Sequence, residues 1–336
     1  MPFRLAIYGY DTALGKLSLE CMESESALRP DELLPLTPLS GEYDAVTLGG
    51  SNYFVQNIDE FDFSLVDAAL FMCTPDETVR HESRVRQSGC VLIDGSGFYA
   101  DSSQVPLLLP ALNPGEIDKV VECRICQPPV SSAIMLSLIL SPLVVELGVK
   151  RCGAVLLQAA SEFGEGGPES LLHETMALLN GQDPEQALFE AQLSFNLHLG
   201  SGLQDGDGPD KEAAQESRIA AQVTRLIGAL PSGLQVSVVQ VPVLYGHSAV
   251  LEVELEEQST VEELREILGE SRYLSLHKEV MLTPVTTAVN SNKVSIGRIR
   301  AGAPGGRHFL VEAVFDNLRC GTASTCVEIA RLLRGR

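Results

Sequence analysis

Positive charge and long apolar runs are both scarce in this sequence. Lysine and arginine number 24 against 45 aspartates and glutamates, which gives a net charge of −21 at pH 7. Proteins that bind nucleic acid need a basic face, so this balance argues against that class and favours solubility. No apolar run reaches the roughly 18 residues that a membrane span needs. We therefore expect neither a nucleic acid nor a membrane as a partner.

Dense, regularly spaced cysteines are also lacking. Eight cysteines are spread over 336 residues, which suits a reducing compartment rather than a disulfide framework. The chain passes from Met1 straight into a strand pattern at Phe3, so no signal peptide is predicted. We expect a cytoplasmic protein of two domains, since this length allows two cores.

The first third alternates apolar strand patterns with helix patterns. Strands are predicted over residues 3–9, 33–36, 44–48, 68–72 and 90–94. Such alternation predicts a parallel sheet with helices on both faces. The first strand-to-helix turn resembles the opening of a dinucleotide-binding domain, where phosphates lie at the helix N-terminus. Its predicted cofactor-binding residues are Gly9, Thr12, Ala13, Leu14 and Gly15.

The stretch from Val120 to Leu147 organises the rest of the chain. A strand is predicted over 120–125, then a proline-locked turn, then an apolar helix over 131–147. A helix start offers free N–H groups and a partial positive charge, and a cysteine there would be an activated nucleophile. This chain has Val130 at that point, which indicates an enzyme fold without its reactive group. Ser131 and Ser132 are interpreted as helix caps.

The second half has successive strands without helices between them, which indicates antiparallel pairs. A long strand is predicted over 151–162, and a mobile surface loop over 201–210. The later strands are predicted over 235–242, 246–255, 294–300 and 308–315, and the helices over 168–180, 211–228, 260–269 and 317–333.

Four stretches together resemble the aspartate-semialdehyde dehydrogenase family, and most closely its Usg-type homologues. They are residues 9–15, Asp94-Gly95-Ser96-Gly97-Phe98, residues 240–248, and residues 296–300 followed by Asp316-Asn317-Leu318-Arg319. The resemblance implies an α/β fold with a Rossmann-type NAD(P)-binding domain over residues 1–128, to which the C-terminal helix 317–336 returns. It also implies an α+β dimerisation and substrate-like domain with a mixed sheet over residues 129–316, and hence a homodimer.

The resemblance implies a mechanism that can be checked position by position. In the family a cysteine attacks the aldehyde or acyl phosphate, a histidine acts as general acid and base, and NADP exchanges a hydride. The cysteine position is Val130 here, which cannot supply a thiolate. His247 matches the histidine, and Gln158 matches a substrate-contacting glutamine. Asn317 falls among the cofactor-binding positions.

The positions that hold substrate and phosphate in the family differ further. The family's arginine that binds the substrate carboxylate is replaced here by Gln240, which lacks the charge and the bidentate fork. Where the family has an arginine that binds phosphate, this chain has Tyr99. The family's Lys–Glu–Lys set on the later helix is replaced by Arg218, Gln222 and Arg225. A lysine that the family has near the C-terminus is replaced by Cys320.

NADP binding of the family's kind is not expected from this sequence. The 2′-phosphate needs a cation near the end of the second strand, yet Arg29 is the single basic residue between Leu17 and Val79. NAD stays open, with Glu42 a candidate for the ribose. No metal is expected, because Cys123 and Cys126 have no second cysteine pair nearby.

Two classes of function remain. The favoured one is a family member without dehydrogenase activity, which binds an unknown small molecule or a partner. The alternative is an NAD(P)-dependent oxidoreductase that acts on a different aldehyde or oxo group without a covalent thioester. Cys126, as a relocated nucleophile, lies four residues too early and on the strand side of the turn.

Overall fold

The computed structural model describes residues 2–38, 44–184, 188–200, 211–278, 281–302 and 305–336. The chain forms two compact units. The first comprises Met1–Val130 with Gly321–Arg336, and the second comprises Ser131–Cys320. In the described ranges no helix is long and apolar enough to cross a membrane. The predicted loop 201–210 and most of the turn that holds Glu42 lie outside the described residues.

A parallel sheet of six strands forms the centre of the first unit. The unit's strands are β1 Arg4–Tyr8, β2 Glu32–Thr37, β3 Ala45–Leu48, β4 Ser51–Phe54, β5 Gln56–Asn57, β6 Ala68–Phe71, β7 Val91–Asp94 and β8 Ile125–Cys126. The sheet order is β5-β2-β1-β6-β7-β8, and every pair is parallel. The central strands β6 and β7 are buried throughout, as expected for strands that are covered on both faces. The predicted Rossmann-type fold is confirmed.

Helices cover this sheet, and two of them begin with a side-chain cap, at Thr12 and at Thr74. They are α1 Ala13–Ser24, α2 Pro75–Gln87, α3 Ile117–Cys123 and a C-terminal helix Ser324–Arg334. Thr74 and Glu77 form a capping box at the start of α2, with Pro75 in its first turn. The C-terminal helix contributes Cys326, Val327 and Ile329 to the core that also contains Leu5.

Two strand predictions for the first 130 residues need correction. The strand predicted over 120–125 is wrong, because Ile117–Cys123 is helical and only Ile125–Cys126 is extended. Ile117 and Val120 are three residues apart and bury the same side of α3, so packing overrides their β-propensity. Residues 45–48 pair with β4 in a separate antiparallel hairpin rather than in the main sheet.

A mixed sheet of seven strands forms the centre of the second unit. Its strands are β9 Val149–Gln158, β10 His198–Leu199, β11 Leu234–Gln240, β12 His247–Leu255, β13 Leu274–Leu276, β14 Val294–Ala301 and β15 His308–Phe315. The order is β10-β11-β9-β12-β15-β14-β13. The β11–β9 and β13–β14 pairs are parallel and the other pairs are antiparallel, which confirms the predicted mixed sheet.

The described residues of this unit form four α-helices: α4 Ser131–Leu147, α5 Gly166–Leu179, α6 Lys211–Ile227 and α7 Val261–Gly269. Helix α4 is buried over most of its length, as its nearly uninterrupted apolar sequence predicts, and it packs against α6 and α7. The long predicted strand ends at Gln158 rather than at residue 162, because a 3₁₀ turn follows over Ala160–Phe163. The last predicted helix begins as a π-helical segment, Asn317–Ala323.

Candidate functional site

Polar side chains converge in the second unit where β9 ends and α4 begins. Gln158 is the last residue of β9, and Ser131 and Ser132 are the first two residues of α4. His247 opens β12, the strand beside β9. The sequence pointed to Gln158 and His247 separately, and the fold brings them into one buried cluster.

His247 has both ring nitrogens engaged inside the protein. The backbone N–H of Ala159 donates to Nδ1 over 3.1 Å, and Nε2 lies 2.8 Å from Oε2 of Glu162. Because Nδ1 accepts a hydrogen bond, the ring proton is on Nε2 and is donated to the carboxylate. The edge of the ring meets Phe315 at a centroid distance of 5.5 Å. The imidazole is therefore held in one tautomer and one orientation.

Glu162 is the residue that the sequence interpretation missed. It lies in the 3₁₀ turn after β9, and its Oε2 also accepts a hydrogen bond from the Ser131 hydroxyl over 3.2 Å. The start of α4 adds the favourable field of a helix N-terminus to this carboxylate. The only signal in the sequence was an acidic residue directly after the family-like run Gln158–Ser161.

Gln158 links the two ends of the cluster. Its Nε2 donates to the Ser132 hydroxyl over 3.1 Å, and its Oε1 accepts from Nε2 of Gln215 on α6, also over 3.1 Å. The side chain is fully buried, and both ends of its amide are bonded. Gln158 is thereby fixed between helices α4 and α6.

In the described part of the chain, the side-chain amide of Gln240 lacks hydrogen bonds, although this residue is the register partner of the fully bonded Gln158. The two residues pair across the parallel strands β11 and β9, and both are 0% exposed. Neither Nε2 nor Oε1 of Gln240 has a hydrogen-bond partner among the described residues. A buried polar group without a partner costs about 1–3 kcal/mol, so this position is locally unfavourable for stability.

The remaining positions predicted in this unit lie on α6 and in the π-helical segment Asn317–Ala323. Oδ1 of Asn317 accepts hydrogen bonds from the Ser161 hydroxyl and from the backbone N–H of Gly246, next to His247. Arg218, Gln222 and Arg225 lie on α6. Cys320 is buried in the π-helical segment.

The turn between β1 and α1 in the first unit is closed by Thr12. Its hydroxyl lies 2.8 Å from the carbonyl oxygens of Gly9 and Met72, and it accepts the N–H of Gly15 over 3.1 Å. A Cβ on Gly15 would lie 1.9 Å from the oxygen of Gly9, so that glycine is required. Ala13 and Leu14 form the first turn of α1. Thr12 thus uses an N–H group that a phosphate at this helix start would otherwise bind.

The loop after β7 is also tied down within the first unit. Asp94 accepts the backbone N–H groups of Ser96 and Tyr99 over 3.1 and 2.9 Å. The Tyr99 hydroxyl donates to Oε2 of Glu82 over 2.8 Å, and burial together with this carboxylate raises the pKa of Tyr99 to about 12. Tyr99 is therefore a neutral group bonded to an acid.

Val130 directly precedes α4, as the sequence predicts. The two cysteines that precede Val130 are not placed to act as the nucleophile in its stead. Cys126 is fully buried, and burial raises the pKa of its thiol above the ordinary range. Cys123 lies exposed at the end of α3, so the two cysteines belong to different elements and not to one strand.

Comparison with known protein families accounts for this architecture. The family model described as "Semialdehyde dehydrogenase, dimerisation domain" matches residues 140–320, more than half of the chain. The family model described as "Semialdehyde dehydrogenase, NAD binding domain" matches residues 38–120. The family that the motifs indicated is thereby confirmed.

Full-length relatives agree with these domains. The chain is 28% identical to "Aspartate-semialdehyde dehydrogenase 2" of Vibrio cholerae over 98% of its own length and 97% of that relative. It is 27% identical to "USG-1 protein homolog" of Pseudomonas aeruginosa over 99% and 98% of the two lengths. A crystal structure of aspartate semialdehyde dehydrogenase II from Vibrio cholerae, complexed with ASA, superposes with a TM-score of 0.87 at 28% identity, covering 100% and 99% of the two chains.

Proposed function

Because the chain belongs to the semialdehyde dehydrogenase family, we propose that it binds a small molecule without carrying out the family's dehydrogenase reaction. The observation that supports this most is the engagement of His247. A general acid or base needs a nitrogen within reach of the reacting group, whereas Nδ1 and Nε2 here bond to Ala159 and Glu162. Val130 adds to this, because it stands where the family resemblance places the nucleophile.

A direct assay tests the proposal. The purified protein is given aspartate semialdehyde, NADP and phosphate, beside an authentic family enzyme as a positive control. We expect no phosphate-dependent formation of NADPH. A phosphate-dependent rate that disappears in His247→Ala would overturn the proposal, because it would show that the histidine still works as acid and base.

Restoring the thiol alone is expected to leave the protein inactive. Val130→Cys would place a sulfur just before α4, yet turnover also needs an oriented substrate, which supplies up to roughly 7–11 kcal/mol of the barrier in well-organised sites. Gln240 carries no charge to hold a carboxylate. A turnover of the single variant close to that of the authentic enzyme would show that the binding groups are intact.

For the cofactor, we propose that NAD binds no worse than NADP. Arg29, the nearest base in sequence, already donates to the carbonyl oxygens of Met22 and Glu23 over 3.0 and 2.7 Å. The 2′-phosphate therefore gains no cation from it. Titration calorimetry with both dinucleotides tests this, and a clear preference for the 2′-phosphorylated form would refute it.

We also propose that the chain forms a homodimer through the face of the second sheet that its helices leave open. Val155 on β9 and Val250 on β12 are exposed on this face, together with Arg151 and Glu252. These residues line one shallow groove across β9, β11 and β12. An apolar centre with a charged rim is the usual anatomy of a protein interface.

A further inference from the structure

The carboxylate of Glu162 has no balancing cation among the described residues. The ion pair found for it is with His247, and that ring carries its single proton on Nε2 because Nδ1 accepts the Ala159 N–H. The contact is therefore between a carboxylate and a neutral donor. Ser131 and the start of α4 stabilise the negative charge without neutralising it.

Glu162 is also the member of the cluster that faces solvent. Its side chain is 20% exposed, whereas that of His247 is 1% exposed and residues Gln158 and Ser132 are 0% and 1% exposed. Oε2 takes both hydrogen bonds, and within the described part of the chain none is found for Oε1. The cluster thus presents one open carboxylate oxygen, held in place by two donors on the other oxygen.

We propose that Glu162 is the anchor for a protonated amino group of the small molecule that binds this site. A carboxylate accepts hydrogen bonds and donates none, so an ammonium group with three N–H donors complements it, whereas a ligand carboxylate is repelled. The position that the resemblance assigns to a carboxylate-binding arginine is the neutral Gln240. His247 is then a positioning residue, which holds Glu162 and does not touch the ligand.

The donor set fits an amine better than a metal ion. Calcium takes six to eight oxygen ligands, and magnesium six in a near-ideal octahedron. The described residues contain no group of three His, Cys, Asp or Glu side chains placed to hold a metal. One carboxylate with a hydroxyl beside it is instead sufficient for an ammonium group.

The proposal rests on the ligand-binding function proposed above, and its test is independent of any turnover. Binding of ethylammonium and of acetate to the full-length protein is measured by NMR titration at equal, near-physiological ionic strength. Glu162→Gln keeps the shape and both acceptor contacts at one oxygen but removes the charge. Glu169→Gln, on an exposed residue of α5, is the matched control for loss of one negative charge.

We expect saturable ethylammonium binding in the unmodified protein and in Glu169→Gln, a loss of at least about tenfold in Glu162→Gln, and no saturable acetate binding. A second readout needs no variant: the ¹⁵N resonance of His247 Nε2 should shift on ethylammonium addition, because its acceptor gains a competing donor. Amine binding that survives Glu162→Gln is attraction to an acidic surface and overturns the proposal. Acetate binding of similar strength, or an unmoved Nε2 resonance, does so as well. NADPH formation in the earlier assay would instead refute only the proposed lack of activity.

Discussion

Replacing one buried glutamine should stabilise this protein, and replacing its register partner should destabilise it. Gln240 and Gln158 face the same buried side of the sheet, on neighbouring strands, at 0% exposure. They differ in hydrogen bonding: the amide of Gln158 is satisfied by Ser132 and Gln215, and that of Gln240 has no partner among the described residues. Methionine has a similar length and no strong donor or acceptor, so it isolates the amide.

The expected free energies have opposite signs. Gln240→Met removes an unpaired buried amide, which should raise the free energy of unfolding by about 1–3 kcal/mol. Gln158→Met leaves Nε2 of Gln215 and the Ser132 hydroxyl without their hydrogen-bond partner, and should lower the free energy of unfolding by about the same amount. With roughly 2–4 °C per kcal/mol for a domain of this size, the two melting temperatures should separate by about 4–24 °C.

Denaturant and thermal unfolding of both variants and the unmodified protein measure this difference. A destabilised Gln240→Met would refute the reasoning, because it would show that the amide is bonded in solution. A stabilised Gln240→Met that binds its ligand less well would indicate that the unpaired amide is kept for function at the expense of stability.

Three further predictions concern other parts of the second unit. Glu174 is buried and accepts the N–H groups of Leu193 and Ser194, so Glu174→Gln should cost about 1–3 kcal/mol in chemical unfolding, and an unchanged midpoint would contradict this. Burial, with Glu252 adding to it, raises the pKa of Cys152 from 9.0 to about 12, so the folded state keeps a proton that the unfolded state loses. Stability should therefore fall as pH rises from about 9 to about 12, by at most about 1.4 kcal/mol per pH unit for this group, and Cys152→Ala should flatten the slope. Val155→Arg on the open sheet face should give a monomer in sedimentation at micromolar concentration, and a dimer that persists would show that this face is not the interface.

The fold was largely predictable because its signals are local. Alternating strand and helix patterns specify the parallel sheet, and the caps at Thr74 and Thr260 mark where helices begin. The errors arose where packing decides the outcome. The valines at 120 and 121 favour a strand by propensity, yet Ile117 and Val120 become the buried stripe of a short helix.

The candidate site was predictable only in part. The family resemblance indicated His247, Gln158 and Gln240, because each sits in a motif of several residues. It could not indicate Glu162, whose partners are 31 and 85 residues away in sequence. Nor could any pattern show that Gln158 is satisfied while Gln240 is not, since that depends on where Ser132 and Gln215 lie in the folded unit.

The place of the C-terminal helix has a consequence for biosynthesis. Val327 and Ile329 complete the core around Leu5, although about 190 residues of the second unit separate the two parts of the first. At about 5–20 residues per second, the ribosome needs on the order of 10–40 seconds to synthesise that intervening segment. During this time the first sheet lacks the C-terminal helix, and part of its apolar face stays uncovered. The second unit can therefore finish folding before the first, and a nascent chain stalled near residue 320 should be a target for chaperones.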